Sequence, residues 1–313
     1  MKRRRLLAWT LVLALAAGAW FWQYPPAATP EAKDNESAAQ ATITETESHS
    51  GQMPRESLPP MPPADREFGL ALPDLKTRAD AGDRKAACRL ASGLLRCLHA
   101  PALWGGTDIA ELERQTEANG QPEVANYFAE EQAWLLEVAS ECRDVPDGIK
   151  NEGARYLRQA ALAGDPAAML AYGSGQHFNP SGRGIAVGPA FDTWRREAPV
   201  MLRRALLAGH PSAAPALSMA YLDDMGILNA FVANDAYQGA VHHMLSAMLF
   251  GTREYPGWLE GLDAQELERA RREATRLHEN VFAGKRYDRN FYFVQPMHYR
   301  RNPDAPLPCE TPK

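Results

Sequence analysis

Residues 157–172 read LRQAALAGDPAAMLAY, and residues 202–217, 45 positions later, read LRRALLAGHPSAAPAL. Leu, Arg, Ala, Leu, Ala, Gly, Pro, Ala and Ala recur in register, so one supersecondary unit is used more than once. Gly164 falls where a helix must end, because only glycine takes the left-handed conformation there without steric cost. Asp165 can cap the next helix by accepting from a free N–H of its first turn. Pro166 stands at the first helical position, where its missing N–H costs nothing. The stretch is therefore two helices joined by a tight turn. Gly209, His210 and Pro211 repeat the signal. Ala160, Ala161, Ala163, Ala167, Ala168 and Ala171 let the two arms approach closely. Leu157, Leu162, Met169 and Leu170 are expected to fill the layer between neighbouring hairpins.

Working outward, residues 75–87, LKTRADAGDRKAA, carry the same turn at Gly82 and Asp83, 82 residues before Gly164. That interval equals two periods, so a degenerate copy is expected between them, and residues 119–122, NGQP, supply it. A weaker copy ends at Gly251. The marker glycines 82, 120, 164, 209 and 251 are spaced by 38, 44, 45 and 42 residues. Helix pairs recurring at such a period are the mark of an α-solenoid. Ten helices are predicted, over 67–81, 84–98, 107–119, 122–142, 149–163, 166–173, 190–208, 211–225, 235–250 and 263–283. The last opens on Asp263 with Glu266 three residues on, a capping-box pattern. Its stripe of Leu267, Ala270, Ala274, Leu277 and Val281 faces the array, and its charged outer side suits the end of a stack.

At these residues the chain resembles the Sel-1-like repeat family, relatives of the tetratricopeptide repeats. The alanine pair is Ala160-Ala161, the turn Gly164-Asp165, and the following helix carries Ala168 and Ala171-Tyr172. The second copy has Ala205, Gly209-His210, Ala213 and Ala216-Leu217. The resemblance implies an all-α fold, a right-handed α/α solenoid of about five helix pairs over residues 67–290. It also implies scaffold or adaptor work, with a protein or peptide partner bound on the concave surface. Some secreted, cysteine-containing members of that family are linked to penicillin-type ligands. A cell-wall-directed enzyme or peptidoglycan-binding protein is therefore the alternative, and a structural spacer a third.

The remaining segments place the array. Lys2, Arg3, Arg4 and Arg5 precede an apolar run over residues 6–22, 17 residues long and closed by Trp20, Phe21 and Trp22. This reads as a signal anchor (1–24) in a bacterial inner membrane, basic end in the cytoplasm and the rest in the periplasm. A cleaved signal peptide at residues 17–19, AGA, is the alternative. Residues 25–66, rich in Pro, Ala, Ser, Thr and Glu, are expected to be a disordered tether. Within it, residues 59–63, PPMPP, are stiff and extended. Residues 291–294, FYFV, are expected to pack back on the array, within a C-terminal extension (291–313) that ends in a proline-rich tail.

The net charge of −5 combines a +4 head, −5 over residues 25–65 and −4 over the rest. No basic field suits a phosphate backbone, so nucleic acid is not expected as a partner. Four cysteines in an exported chain make disulfides plausible. Cys88 and Cys97 sit on opposite faces of one predicted helix, about 13 Å apart along its axis, and cannot pair. Cys97 and Cys142 both end helices and are the expected bridge, with Cys88 read as a small buried residue or a second bridge partner. No metal site, cofactor or catalytic set is assigned. Adjacent His242 and His243 point about 100° apart on a helix. Asp223 and Asp224 read as a solvated helix end, and no phosphate-loop or serine-elbow motif is present. The long insertion over residues 172–189, YGSGQHFNPSGRGIAVGP, is the one candidate binding lip, with His177, Phe178 and Arg183 reaching across the groove.

Overall fold

A computed structural model describes residues 58–63, 65–99, 108–178, 188–222, 232, 234–289 and 309. All of them fall in the second of the chain's two units, Gly51–Lys313. Among the described residues the secondary structure is entirely helical. The helices are α1 (Phe68–Asp80), α2 (Arg84–His99), α3 (Ile109–Ala118), α4 (Pro122–Glu141), the single turn α5 (Asp147–Lys150), α6 (Gly153–Leu162), α7 (Pro166–Gly173), α8 (Pro189–Leu207), α9 (Ala213–Leu222), α10 (Ala236–Phe250) and α11 (Ala264–Phe282). A 3₁₀ turn, Pro256–Leu259, lies between α10 and α11.

The repeated turn has one hydrogen-bond design. Gly82, Gly164 and Gly209 take φ of +88°, +84° and +81°. The Gly164 N–H donates to the Ala161 carbonyl, and the Asp165 N–H to the Ala160 carbonyl, both at 3.0 Å. The same two bonds recur at Gly82 and Gly209, closing each helix with a Schellman motif. Asp83 then accepts from the Ala86 N–H at 3.1 Å, and Asp165 from Ala168 at 2.9 Å. Asp263 and Glu266 complete a reciprocal capping box at the start of α11.

Packing runs from pair to pair. α1 packs on α2, α2 on α6, α6 on α7, α7 on α8, α8 on α9, α9 on α10 and α10 on α11. Buried alanines line these contacts, among them Ala79, Ala87, Ala91, Ala160, Ala161, Ala198, Ala205 and Ala214. Small side chains bring the backbones close. A Cβ on Gly93 of α2 would lie 2.1 Å from the Phe68 ring, and one on Gly173 2.8 Å from Leu202 Cγ. Leu162 departs from expectation. It ends α6 at 45% exposure rather than filling a layer between hairpins.

The direct α2–α6 contact corrects the repeat count. α3 and α4 pack chiefly on each other and touch α2 only lightly. The interval from Gly82 to Gly164 is therefore one repeat plus an inserted hairpin, not two periods. Four pairs follow one another, and the Gly120 hairpin stands aside from them. Among the described residues, the Cys97–Cys142 disulfide and an Arg96–Glu141 ion pair at 2.6 Å hold its base. A second disulfide joins Cys88 to Cys309, so Cys88 is a bridge partner and not merely a small core residue. Residues 58–63, placed in the disordered tether by composition, instead lie against α1 and α2. Among the described residues no helix is long and apolar enough to cross a membrane. The expected anchor (residues 6–22) and residues 291–294 lie outside them.

Candidate functional site

The expected lip begins where α7 ends. The Gly175 N–H donates to the Tyr172 carbonyl and the Gln176 N–H to the Ala171 carbonyl, a further Schellman closure. This turn sends His177 and Phe178 inward. The His177 imidazole stacks on the Tyr172 ring at 4.9 Å with 12° between planes. Phe178 stands edge-on to Trp194 at 5.1 Å and lies 6.0 Å from Phe191. Trp194 is fully buried, and its indole N–H donates to the Tyr172 carbonyl at 2.7 Å. His177 and Phe178 therefore tie the end of α7 to α8, and neither reaches across an open groove. Arg183, the third lip residue, lies outside the described residues, as do Asp223 and Asp224.

His99 completes this cluster, a residue the sequence did not single out. It is buried at the end of α2, and its Nε2 lies 3.3 Å from the His177 carbonyl, which can only accept, so the proton sits on Nε2. Burial, joined by the charge of the nearby His99, holds His177 down to about 4. Burial also lowers His99, opposed by its bond to that carbonyl. The His177 Nδ1 and Ser174 Oγ atoms are buried with no hydrogen-bond partner among the described residues. The site thus offers stacked ring faces and a neutral imidazole at pH 7.

Beside it, Glu197 of α8 joins three helices. Arg158 of α6 donates Nε to its carboxylate at 2.9 Å, and the Tyr172 hydroxyl of α7 donates at 2.7 Å. The Arg158 bond is the main cause that holds Glu197 below the ordinary carboxylate range, against partial burial. Tyr172 is pushed up by burial and by its bond to that carboxylate. The same idea recurs where the Tyr156 hydroxyl donates to Asp80 at 2.7 Å, and where Tyr237 donates to Glu273 at 2.8 Å. A tyrosine on one helix reaching an acid on another is a clasp within the array.

Three further histidines are buried. His210 follows the glycine of its turn, where Asp165 stands in the preceding copy. His242 stacks on Tyr221 at 5.8 Å. His243 Nε2 accepts from the Tyr255 N–H at 2.7 Å, and Trp258 lies edge-on to its ring. The His242–His243 pair is thus divided between two surroundings, as the 100° step predicts. Among the described residues no three His, Cys, Asp or Glu side chains converge as metal ligands would. Compared with known proteins, the chain matches no family model, no curated protein and no solved structure.

Proposed function

We propose that this chain is an envelope-tethered helical-repeat scaffold, a Sel-1-like right-handed solenoid that binds a protein or peptide partner on the periplasmic side. The observation that supports this reading is the serial packing of helix pairs through one repeated glycine turn. Such an array grows by adding units, and its surface lines up equivalent positions of successive repeats. Leu162 and Leu207 hold the same repeat position, 45 residues apart, and stay 45% and 65% exposed. A leucine left in water at the same position of two successive units offers an apolar partner two matching contacts. The binding mechanism is surface complementarity, with the tyrosine–acid clasps keeping the array rigid and pre-organised.

Crosslinking the tagged full chain in intact cells, followed by membrane solubilisation and identification of captured species, tests the reading. A reproducible protein partner is expected, lost in the L162E/L207E variant, whose changes lie at exposed positions. Capture of wall fragments without a protein, insensitive to both leucines, would replace the scaffold reading with the cell-wall-directed one.

A further inference from the structure

The composition of residues 59–63 gives no reason for this segment to fold, yet two arginines hold it. Arg78 of α1 donates Nη1 to the Pro59 carbonyl at 2.6 Å. Arg89 of α2 donates Nη1 to the Pro62 carbonyl and Nη2 to the Pro63 carbonyl, the latter at 2.8 Å. Pro62 is buried, and Met61 packs partly buried on the core. Arg78 does not wander: its Nε bonds Asp83 at 2.9 Å and its Nη2 pairs with the same carboxylate, which leaves Nη1 aimed at the segment. Asp83 in turn is fixed as the cap of α2. The repeat turn thus orients the guanidinium.

This is peptide recognition in its simplest form. Each proline fixes its own φ, and each residue before a proline is pushed out of the helical region. Pro59, Met61 and Pro62 all precede prolines, so the segment is extended before it docks and loses little conformational entropy on docking. The Pro63 carbonyl also accepts from the Arg66 N–H at 3.3 Å, and two planar forks supply three donors to the carbonyls of Pro59, Pro62 and Pro63. Backbone carbonyls are common to all peptides, so what selects is extension and the small apolar surface of Pro62 and Met61.

We propose that the Arg78–Arg89 face of the first helix pair is a binding site for extended proline-rich peptides, occupied in cis by residues 59–63 and opened when that segment leaves. This gives a partner class to the peptide-binding reading above and rests on it. The two fail separately, because a partner held at Leu162 and Leu207 does not need this face.

The test uses the full chain in detergent and a fluorescein-labelled peptide spanning residues 57–65, SLPPMPPAD. The M61D/P62G variant, which undocks the cis segment, is expected to bind it at least tenfold more tightly than the wild type. Adding R89Q to that variant should cost at least tenfold, and a peptide with alanine at all four prolines should bind at least tenfold more weakly. Equal binding by wild type and undocked chain, indifference to R89Q, or no binding at all overturns the site. Should M61D/P62G lose its helical circular dichroism, the wild type alone decides. Its Met61 methyl resonance, assigned through M61L, should move toward the position seen in R89Q as millimolar peptide displaces the cis segment. An unmoved resonance overturns the proposal.

Discussion

At the residue scale, two glycines illustrate two different constraints. Gly164 has φ +84° and open space about it, since the nearest atom to an added Cβ is Arg84 Nη1 at 3.7 Å. G164A is therefore expected to cost about 1–2 kcal/mol, the left-handed penalty of an L-residue. Gly173 is helical, and its added Cβ would collide with Leu202. G173A is expected to cost about 1–3 kcal/mol through overpacking. Urea unfolding separates the two: L202A should soften the effect of G173A and leave that of G164A unchanged. The buried histidines give a pH prediction. Burial holds His210 and His242 down to about 4 each, Arg203 adding to the effect at His242, against an ordinary value near 6.5. Above about pH 6.5 folded and unfolded chains are both neutral at these sites, and stability is full. As pH falls from there toward about 4, only the unfolded chain takes up the protons. Stability is then lost at up to about 1.4 kcal/mol per pH unit for each histidine. The urea midpoint should fall between pH 7 and pH 5, and H210Q and H242Q should each fall less than the wild type.

At the scale of elements, the chain declares its helices openly and conceals their order. Asp83, Gly82, Asp165, Gly164 and Asp263 mark ends that the structure closes within a residue or two of expectation, because caps and Schellman turns are local chemistry. Gly120 carries the same local chemistry, with the Gln121 N–H on the Thr116 carbonyl, and so reads as another repeat. What removes it from the series is that α2 packs on α6, a contact between residues far apart in sequence, and no local signal encodes that. The inward fold of His177 and Phe178 was hidden for the same reason. A histidine in a glycine-rich stretch reads as a loop until Tyr172 and Trp194 are brought beneath it. The arm of α3 and α4 leads to a third prediction. Its base is tied by Cys97–Cys142 and by Arg96–Glu141, while α4 buries Ala125, Glu131 and Val138 and packs Trp134 and Leu135 partly buried on the core. In the C97S/C142S variant, amide exchange should quicken across 109–141 while α6 to α9 keep their protection. Equal acceleration in both regions would mean that the arm is integral to the core.

At the scale of the whole unit, helix pairs whose main contacts run from one pair to the next face a problem of cooperativity. Each pair's stability comes from its own contacts and its adjoining interfaces, so the terminal pairs, with one neighbour each, open first. Two features of this chain oppose that. Beyond α11 the backbone returns to α10: the Tyr287 N–H donates to the Leu249 carbonyl at 2.7 Å, and Arg289 Nη2 donates to the Gly251 carbonyl at 2.7 Å. The Cys88–Cys309 disulfide then ties the chain's last segment to its first helix pair across 221 residues of sequence. A crosslink so long removes much freedom from the unfolded chain, about 5 kcal/mol as an upper value in the chain-entropy model, against about 4 kcal/mol for the 45-residue Cys97–Cys142 link. The two bridges should differ in kind as well as in size. Loss of Cys97–Cys142 loosens an appendage and leaves one unfolding transition. Loss of Cys88–Cys309 uncouples the ends, so C309S should lower the urea midpoint, raise the m-value through a more expanded unfolded state, and let α1 and α2 exchange ahead of α6 to α9. Superimposable unfolding curves for C309S and the wild type, with unchanged exchange in α1 and α2, would show that the neighbour interfaces alone make the unit cooperative.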